Sequence, residues 1–248
     1  TGTIDGSGGG DFFGWSTAFS NDGNRIAISA PNHDSGGATN RGQVRVFDFV
    51  SEQWLQVGAD ILGDNAADQQ GFSMDLSGDG LSLVASCPGG NNGEVALTGL
   101  VKVFIESGGI WSQVGGAIAG VDANDRFGRS VSIADNGSRL AASSYIHDGS
   151  RGHLRLFDLT GDSWVQFGSD LNGENSADRF GNGIFSVTLT GDGSRAASGS
   201  TLYGDAGRVR VFASAELVST EAPTTESTAA QSITPTIAST FGPTAAPT

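Results

Sequence analysis

"FGWSTAFSNDGNRIAISAP" (residues 13–31) decides how this chain is read, because the chain writes it again. Its skeleton returns as "GFSMDLSGDGLSLVASCP" (71–88), as "FGRSVSIADNGSRLAASS" (127–144) and as "SVTLTGDGSRAASGS" (186–200). Each copy follows an Asp-x-x-Gly: Asp11–Gly14, Asp68–Gly71, Asp125–Gly128 and Asp178–Gly181. The glycines are 57, 57 and 53 residues apart. Fixed periods of this size indicate a solenoid, a propeller or another repeat array.

Each unit keeps one order of landmarks. An alternating stretch leads to a turn ("NDG", "GDG", "DNG", "GDG"), then a short apolar run, then a loop of variable sequence. "GQVRVFDF", "GLVKVFIE", "GHLRLFDL" and "GRVRVFAS" come next, followed in three units by "WLQVG", "WSQVG" or "WVQFG". Val-Arg-Val-Phe and its relatives alternate apolar and basic, the period of a strand with one face buried. Runs such as "RIAIS" and "SLVAS" suit a strand covered on both faces. Asn/Asp-Gly pairs suit hairpin turns, which need positive φ. Each unit therefore predicts four strands: A around Phe-Gly-x-Ser, B at "RIAIS", C at "VRVF" and D at "WxQVG".

A four-stranded sheet with apolar residues on both faces cannot bury them alone, and packing sheets face to face around an axis does so. The expected fold is all-β, a β-propeller of four tandem four-stranded blades, the last lacking its outer strand. The units fall at about 1–60, 61–117, 118–170 and 171–216. Strand D occurs three times and A, B and C four times. "TIDG" (3–6) matches "DILG", "AIAG" and "DLNG", read here as the residues that directly follow strand D. The expectation is that further blades of the same polypeptide complete a ring of six or seven.

Composition narrows the partners. A net charge of −14 argues against nucleic acid and anionic membranes, which select basic surfaces. Cys87 is the only cysteine, so no intrachain disulfide and no cysteine-based zinc site can form. No apolar run is long enough to span a bilayer. Lys102 is the only lysine beside twelve arginines.

Phe13-Gly14, Ala30-Pro31 and Gly42-x-Val44-x-Val46-Phe47 resemble the FG-GAP repeat of integrin-α-type β-propellers. The turn in "SNDGNRIAIS" is also similar to WD40-like propeller repeats of the TolB type. The resemblance covers residues 2–216 and implies a surface or extracellular recognition module. It departs from the family at calcium. Calcium-binding FG-GAP repeats carry a carboxylate-dense D-x-[DN]-x-D-G loop, since Ca²⁺ takes six to eight oxygens. Here the hairpins "FSNDGNR", "LSGDGLS", "IADNGSR" and "LTGDGSR" are carboxylate-poor, and Arg25, Arg139 and Arg195 follow the turn. An Asp–Arg tie at these hairpins is expected rather than a metal.

Repetition makes most polar residues structural. Asp11, Asp68, Asp125 and Asp178 read as turn caps, and Trp54, Trp111 and Trp164 as inter-blade packing, with a sugar-stacking platform the alternative. His33 and His147 share one loop position, each followed by Asp, while His153 alternates on strand C, so no metal site is expected. No HExxH, Gly-x-Ser-x-Gly or P-loop occurs. No cofactor and no catalytic residue are expected. Trp15, whose counterparts are Phe72, Arg129 and Asn182, sits at a position free to vary and reads as a binding candidate.

Variation points to the B–C loops and the D–A loops, which share one face of a propeller. Candidate partner-binding residues are His33, Asp34, Asn91, Asn92, Glu94, His147, Asp148, Tyr203 and Asp205, with Asp64, Asp122 and Glu174 from the D–A side. From Ser219 the composition turns to Ser, Thr and Pro, with four of the six prolines and no basic residue. Residues 217–248 are expected to be a disordered stalk or linker, O-glycosylated in the sharper reading. Asn136-Gly-Ser is an N-glycosylation sequence. The whole reads as a non-catalytic extracellular or cell-surface adhesion module for a protein or glycan. The alternatives are a glycan-processing propeller enzyme and an intracellular scaffold.

Overall fold

The computed structural model describes residues 2–183, 186–204 and 206–213. The expected disordered stalk and Asp205 lie outside them.

The first sheet contains β1 (Thr17–Phe19), β2 (Arg25–Ala30), β3 (Gln43–Val50), β4 (Gln53–Gln56) and β5 (Ile61–Leu62). The second contains β6 (Met74–Leu76), β7 (Ser82–Cys87), β8 (Leu100–Ser107), β9 (Ile110–Gln113) and β10 (Ile118–Ala119). The third is β11 (Val131–Ile133), β12 (Arg139–Ser144), β13 (His153–Thr160) and β14 (Ser163–Asn172). The fourth is β15 (Val187–Leu189), β16 (Arg195–Ser200) and β17 (Arg208–Ala213). Every pairing within these sheets is antiparallel and follows chain order from inner strand to outer. Inner strands β1, β6, β11 and β15 pack side by side in sequence, which places four propeller blades around a common axis.

The alternation on strand C sorts its residues between two neighbours. Val44 and Val46 of β3 are fully covered by Met74, Leu76 and Phe104 of the second blade. Val101 and Val103 of β8 meet Val131, Ile133 and Phe157 of the third. Leu154 and Leu156 of β13 meet Val187 and Phe212 of the fourth. Among the described residues each core thus lies between blades, and none lies inside one. Trp111 and Trp164 pack against the first two of these cores, and Trp54 sits between Phe19 and Phe49.

Polar side chains stitch the same joints. Ser73 Oγ accepts the Val131 amide and Ser130 Oγ accepts the Val187 amide. Asp75 Oδ2 accepts both the Ser132 hydroxyl and the Ile133 amide, and Ser132 Oγ accepts the Leu189 amide. Burial raises the Asp75 carboxyl above the ordinary range, and these hydrogen bonds oppose that shift. On the outer side a strand C cation reaches back to the preceding outer segment. Lys102 Nζ donates to Asp64 Oδ2 at 2.6 Å, Arg155 to the Ala119 carbonyl and Arg210 to the Asn172 carbonyl. Arg45 does the same to the carbonyl of Asp5, which stands to the first blade as Ala119 does to the third.

Two expectations are corrected in detail. "DILG", "AIAG" and "DLNG" do not follow strand D; they contain its second half. Ile61–Leu62 and Ile118–Ala119 pair with β3 and β8, and in the third blade β14 runs on to Asn172 with a register shift opposite Leu154–Leu156. A bulge begins at the glycine of "WxQVG", and the glutamine side chain spans it. Gln56 Nε2 donates to the Gly58 carbonyl and to Asp60, and Gln166 Nε2 donates to the Gly168 carbonyl and to Asp170. The sheets therefore end at Leu62, Ala119 and Asn172, two residues beyond the boundaries read from the repeat.

The second correction concerns the hairpin arginines. Arg25 clamps Asp48 through two hydrogen bonds, 2.6 and 2.9 Å, and Arg139 clamps Asp158 at 2.6 and 2.7 Å. These partners lie across the B–C register, and the turn residues are not involved. Each guanidinium also donates to a carbonyl in the next blade's turn, Gly80 or Gly193. The hairpin carboxylates have local partners instead. The Ser20 hydroxyl and the Asn24 amides hold Asp22 down to about 2, and Thr190 and Ser194 do the same for Asp192.

Asp22 titrates lower in the folded chain than its ordinary 3.8, so its contribution is present above about pH 4 and is lost as pH falls toward 2. Ser20→Ala removes the largest cause. Carboxyl titration by NMR should show Asp22 moving up toward the ordinary value in that variant, with Asp192 unchanged.

Equivalent valines give a second test. Val46 and Val103 are 2% and 1% exposed, whereas Val211, at the same blade position on β17, is 62% exposed. Val103→Ala should cost about 2–3 kcal/mol in urea unfolding. Val211→Ala should stay within about 0.5 kcal/mol.

Candidate functional site

The B–C loop of each blade and the D–A segment leading to the next are joined by backbone hydrogen bonds. In the first blade the amides of Ala67, Gln69 and Gln70 donate to the carbonyls of Thr39, Asn40 and Arg41. Asn124, Arg126 and Phe127 donate to Ala96, Leu97 and Thr98 in the second, and Ala177, Arg179 and Phe180 donate to Gly149, Ser150 and Arg151 in the third. A further bond, from Gly63, Gly120 or Gly173 to the glycine before strand C, closes each zipper. The backbones approach so closely that a Cβ at Gly99 would strike the Phe127 amide, and Gly99 also has φ +76. The two loop sets share one face, and that face is braced.

Sequence explains the bracing. Asp68 Oδ2 accepts the Asp64 and Asn65 amides, Asp125 Oδ2 those of Val121 and Asp122, and Asp178 Oδ2 those of Glu174 and Asn175. All three aspartates are buried and fold the D–A loop around one carboxylate oxygen. Asp11 differs, with its Oδ2 2.7 Å from His33 Nδ1. Asp34 Oδ1 accepts the Asn40 amide and Asn91 Oδ1 the Leu97 amide, so each closes a loop whose tip is a small bridge, Ser35 to Ala38 or Asn92 to Val95. Gly14, Gly71, Gly128 and Gly181 take φ between +82 and +92 at the entry to strand A.

The remaining candidates are spread along this face. Asn91, Asn92 and Glu94 are exposed on the second-blade tip. Asp148 is exposed and pairs with Arg151 at 3.1 Å. Glu174 pairs with Arg208, whose guanidinium stacks over the Tyr203 ring at 3.6 Å. Asp64 is committed to Lys102, whose side chain is 3% exposed. Trp15 closes a joint between blades: its Nε1 donates to the Phe72 carbonyl and its ring packs on the Phe72 ring. Arg129, its counterpart, donates to the Asn182 carbonyl. Cys87, whose thiol burial pushes up, donates to Gln70 Oε1 in the interior.

One grouping was not expected from the sequence. His147 in the third B–C loop and His153 at the start of β13 pack with ring centroids 4.2 Å apart and planes tilted by 31°, and both lie close to Asp125. Burial and the neighbouring His147 push His153 down to about 4, so its imidazole is neutral at ordinary pH. The one signal in the sequence was a histidine standing where the other units have Gln43, Leu100 and Arg208.

No protein-family profile matches the chain, and no curated protein matches it. Among solved structures it is similar to TolB from Acinetobacter baumannii, at 15% identity and a TM-score of 0.47, covering 82% of this chain and 41% of that one. It is also similar to hydrazine synthase from Kuenenia stuttgartiensis, at 15% identity and a TM-score of 0.47, covering 80% of this chain and 50% of that one. The chain spans half or less of the length of these two proteins.

The two carboxylates of the face with cationic partners should behave differently. Asp64→Ala strands the buried Lys102 and should cost about 2 kcal/mol or more in chemical unfolding. Glu174→Ala breaks a pair exposed on both sides and should stay within about 0.5 kcal/mol.

Proposed function

We propose that the chain is a non-catalytic recognition module that binds a protein partner through the B–C and D–A loop face. The observation that carries this reading is a division within the loops. In the first two blades the root is zipped to its neighbour by backbone hydrogen bonds and the exposed tips differ in sequence, and the third blade keeps the zipper without a tip. Variable tips on a scaffold braced by backbone hydrogen bonds are suited to recognition, because little ordering entropy is lost on binding. Ser73, Asp75, Ser130 and Ser132, on or beside the inner strands, make inter-blade hydrogen bonds, which favours binding over chemistry. The Ser/Thr/Pro-rich sequence after Ser219 supports an extracellular or cell-surface setting.

The test replaces the tips 35–38 and 92–95 with Gly-Ser of equal length. Thermal melting should stay close to the parent, because the zipper bonds involve neither tip. Partners retained by the immobilised parent from its native extracellular fraction should be lost by this variant. A variant altered at the opposite-face turns, Asn24→Ser with Asn136→Ser, should keep them. Equal retention by the tip variant would overturn the reading. Retention abolished by removing glycans from the fraction would replace the protein partner with a glycan.

A further inference from the structure

We propose that Asp125, His147 and His153 form a binding site for a zinc-class divalent ion, which clips the second D–A loop to the third blade. The three side chains come from three different segments, and their ligand atoms lie within 4.8 Å of one another. His153 is fully buried, yet neither ring nitrogen has a hydrogen-bond partner among the described residues. Its nearest carboxylate, Asp170, stands 3.6 Å from Nδ1, beyond hydrogen-bonding range. Leaving a buried imidazole unsatisfied is costly, and a structural histidine normally finds a partner.

The first blade serves as an internal comparison. There Asp11 and His33 occupy the places of Asp125 and His147, and their 2.7 Å contact is an ordinary hydrogen bond. The place of His153 holds Gln43, whose amide donates to Asp60 at 2.7 Å, the counterpart of Asp170. The first blade is thus complete without an ion. In the third blade the corresponding aspartate contact is longer, with His147 Nδ1 3.2 Å from each Asp125 oxygen.

The donor set selects the ion. Two imidazole nitrogens and one carboxylate oxygen suit zinc and its borderline neighbours, whereas calcium and magnesium require mostly oxygen. Asp125 Oδ2 already accepts two backbone amides, which orients the carboxylate, and Oδ1, whose contact is with His147 Nδ1, is the oxygen the ion would take. Asp122 Oδ2, 3.6 Å from His147 Nδ1 and exposed, is placed to join at the rim. Zinc would draw these atoms inward by roughly an ångström, a rotamer-scale adjustment that falls to Asp125 and His147 on their loops, since His153 is held on β13.

The chelator-treated 248-residue chain should be titrated with zinc chloride by calorimetry and by thermal melting. One equivalent should bind and the melting temperature should rise. His147→Ala should weaken binding at least tenfold and abolish the thermal gain, while His33→Ala should leave both unchanged. His153→Gln installs the residue the first blade carries, so it keeps the test open if His147→Ala does not fold. It too should lose the site. Absent binding, or weak binding of several equivalents that neither variant alters, would overturn the proposal.

Discussion

Every stable feature of this chain depends on one constraint: an isolated blade has an apolar surface on each side and no means of covering either. Strand C shows the constraint most clearly. Its Val-x-Val or Leu-x-Leu faces the following blade and its phenylalanine faces the preceding one. The unit of stability is therefore the joint between two blades. Burying a pair of valines or leucines and a phenylalanine at each joint contributes several kcal/mol, which no single hydrogen bond at the surface approaches.

The polar repeats serve the same joints. Ser73, Ser130 and Ser132 take up amides of the adjacent inner strand. Arg25 and Arg139 each hold one carboxylate of their own blade and one carbonyl of the next. Lys102 and Arg155 work from the outer side. An apolar joint alone would permit one sheet to slide over the next. Directional bonds at the inner and outer ends fix the relative position of the blades.

How much of this was legible depended on how local its cause was. Strand C was readable because alternation in "VRVF" is a local consequence of the pleat. The second half of strand D was not, because Ile61–Leu62 is too short to show a period and follows a bulge. Arg25 was placed beside Asp22 because they are neighbours in sequence, but its partner Asp48 is set by a register 23 residues away. His153 looked like an ordinary member of an alternating strand. Its meeting with His147 and Asp125 requires the backbone zipper, which joins segments that no spacing rule connects. The turn glycines and the D–A aspartates were visible through repetition, though repetition alone did not show which amides each carboxylate would take.

The zipper also determines where new sequence can enter. Thr39–Arg41 and its counterparts are locked residue by residue to the next segment, so an insertion there would shift every bond downstream. The bridge from Ser35 to Ala38 and that from Asn92 to Val95 lie outside the locked stretch. The third blade dispenses with the tip altogether: its loop "IHDGSRG" is four residues shorter than "NHDSGGATNRG", yet its zipper is intact. Length is thus free at the tips and forbidden at the roots. A foreign peptide grafted between Ser35 and Ala38 would be carried as a passenger, displayed on a frame whose register it cannot reach.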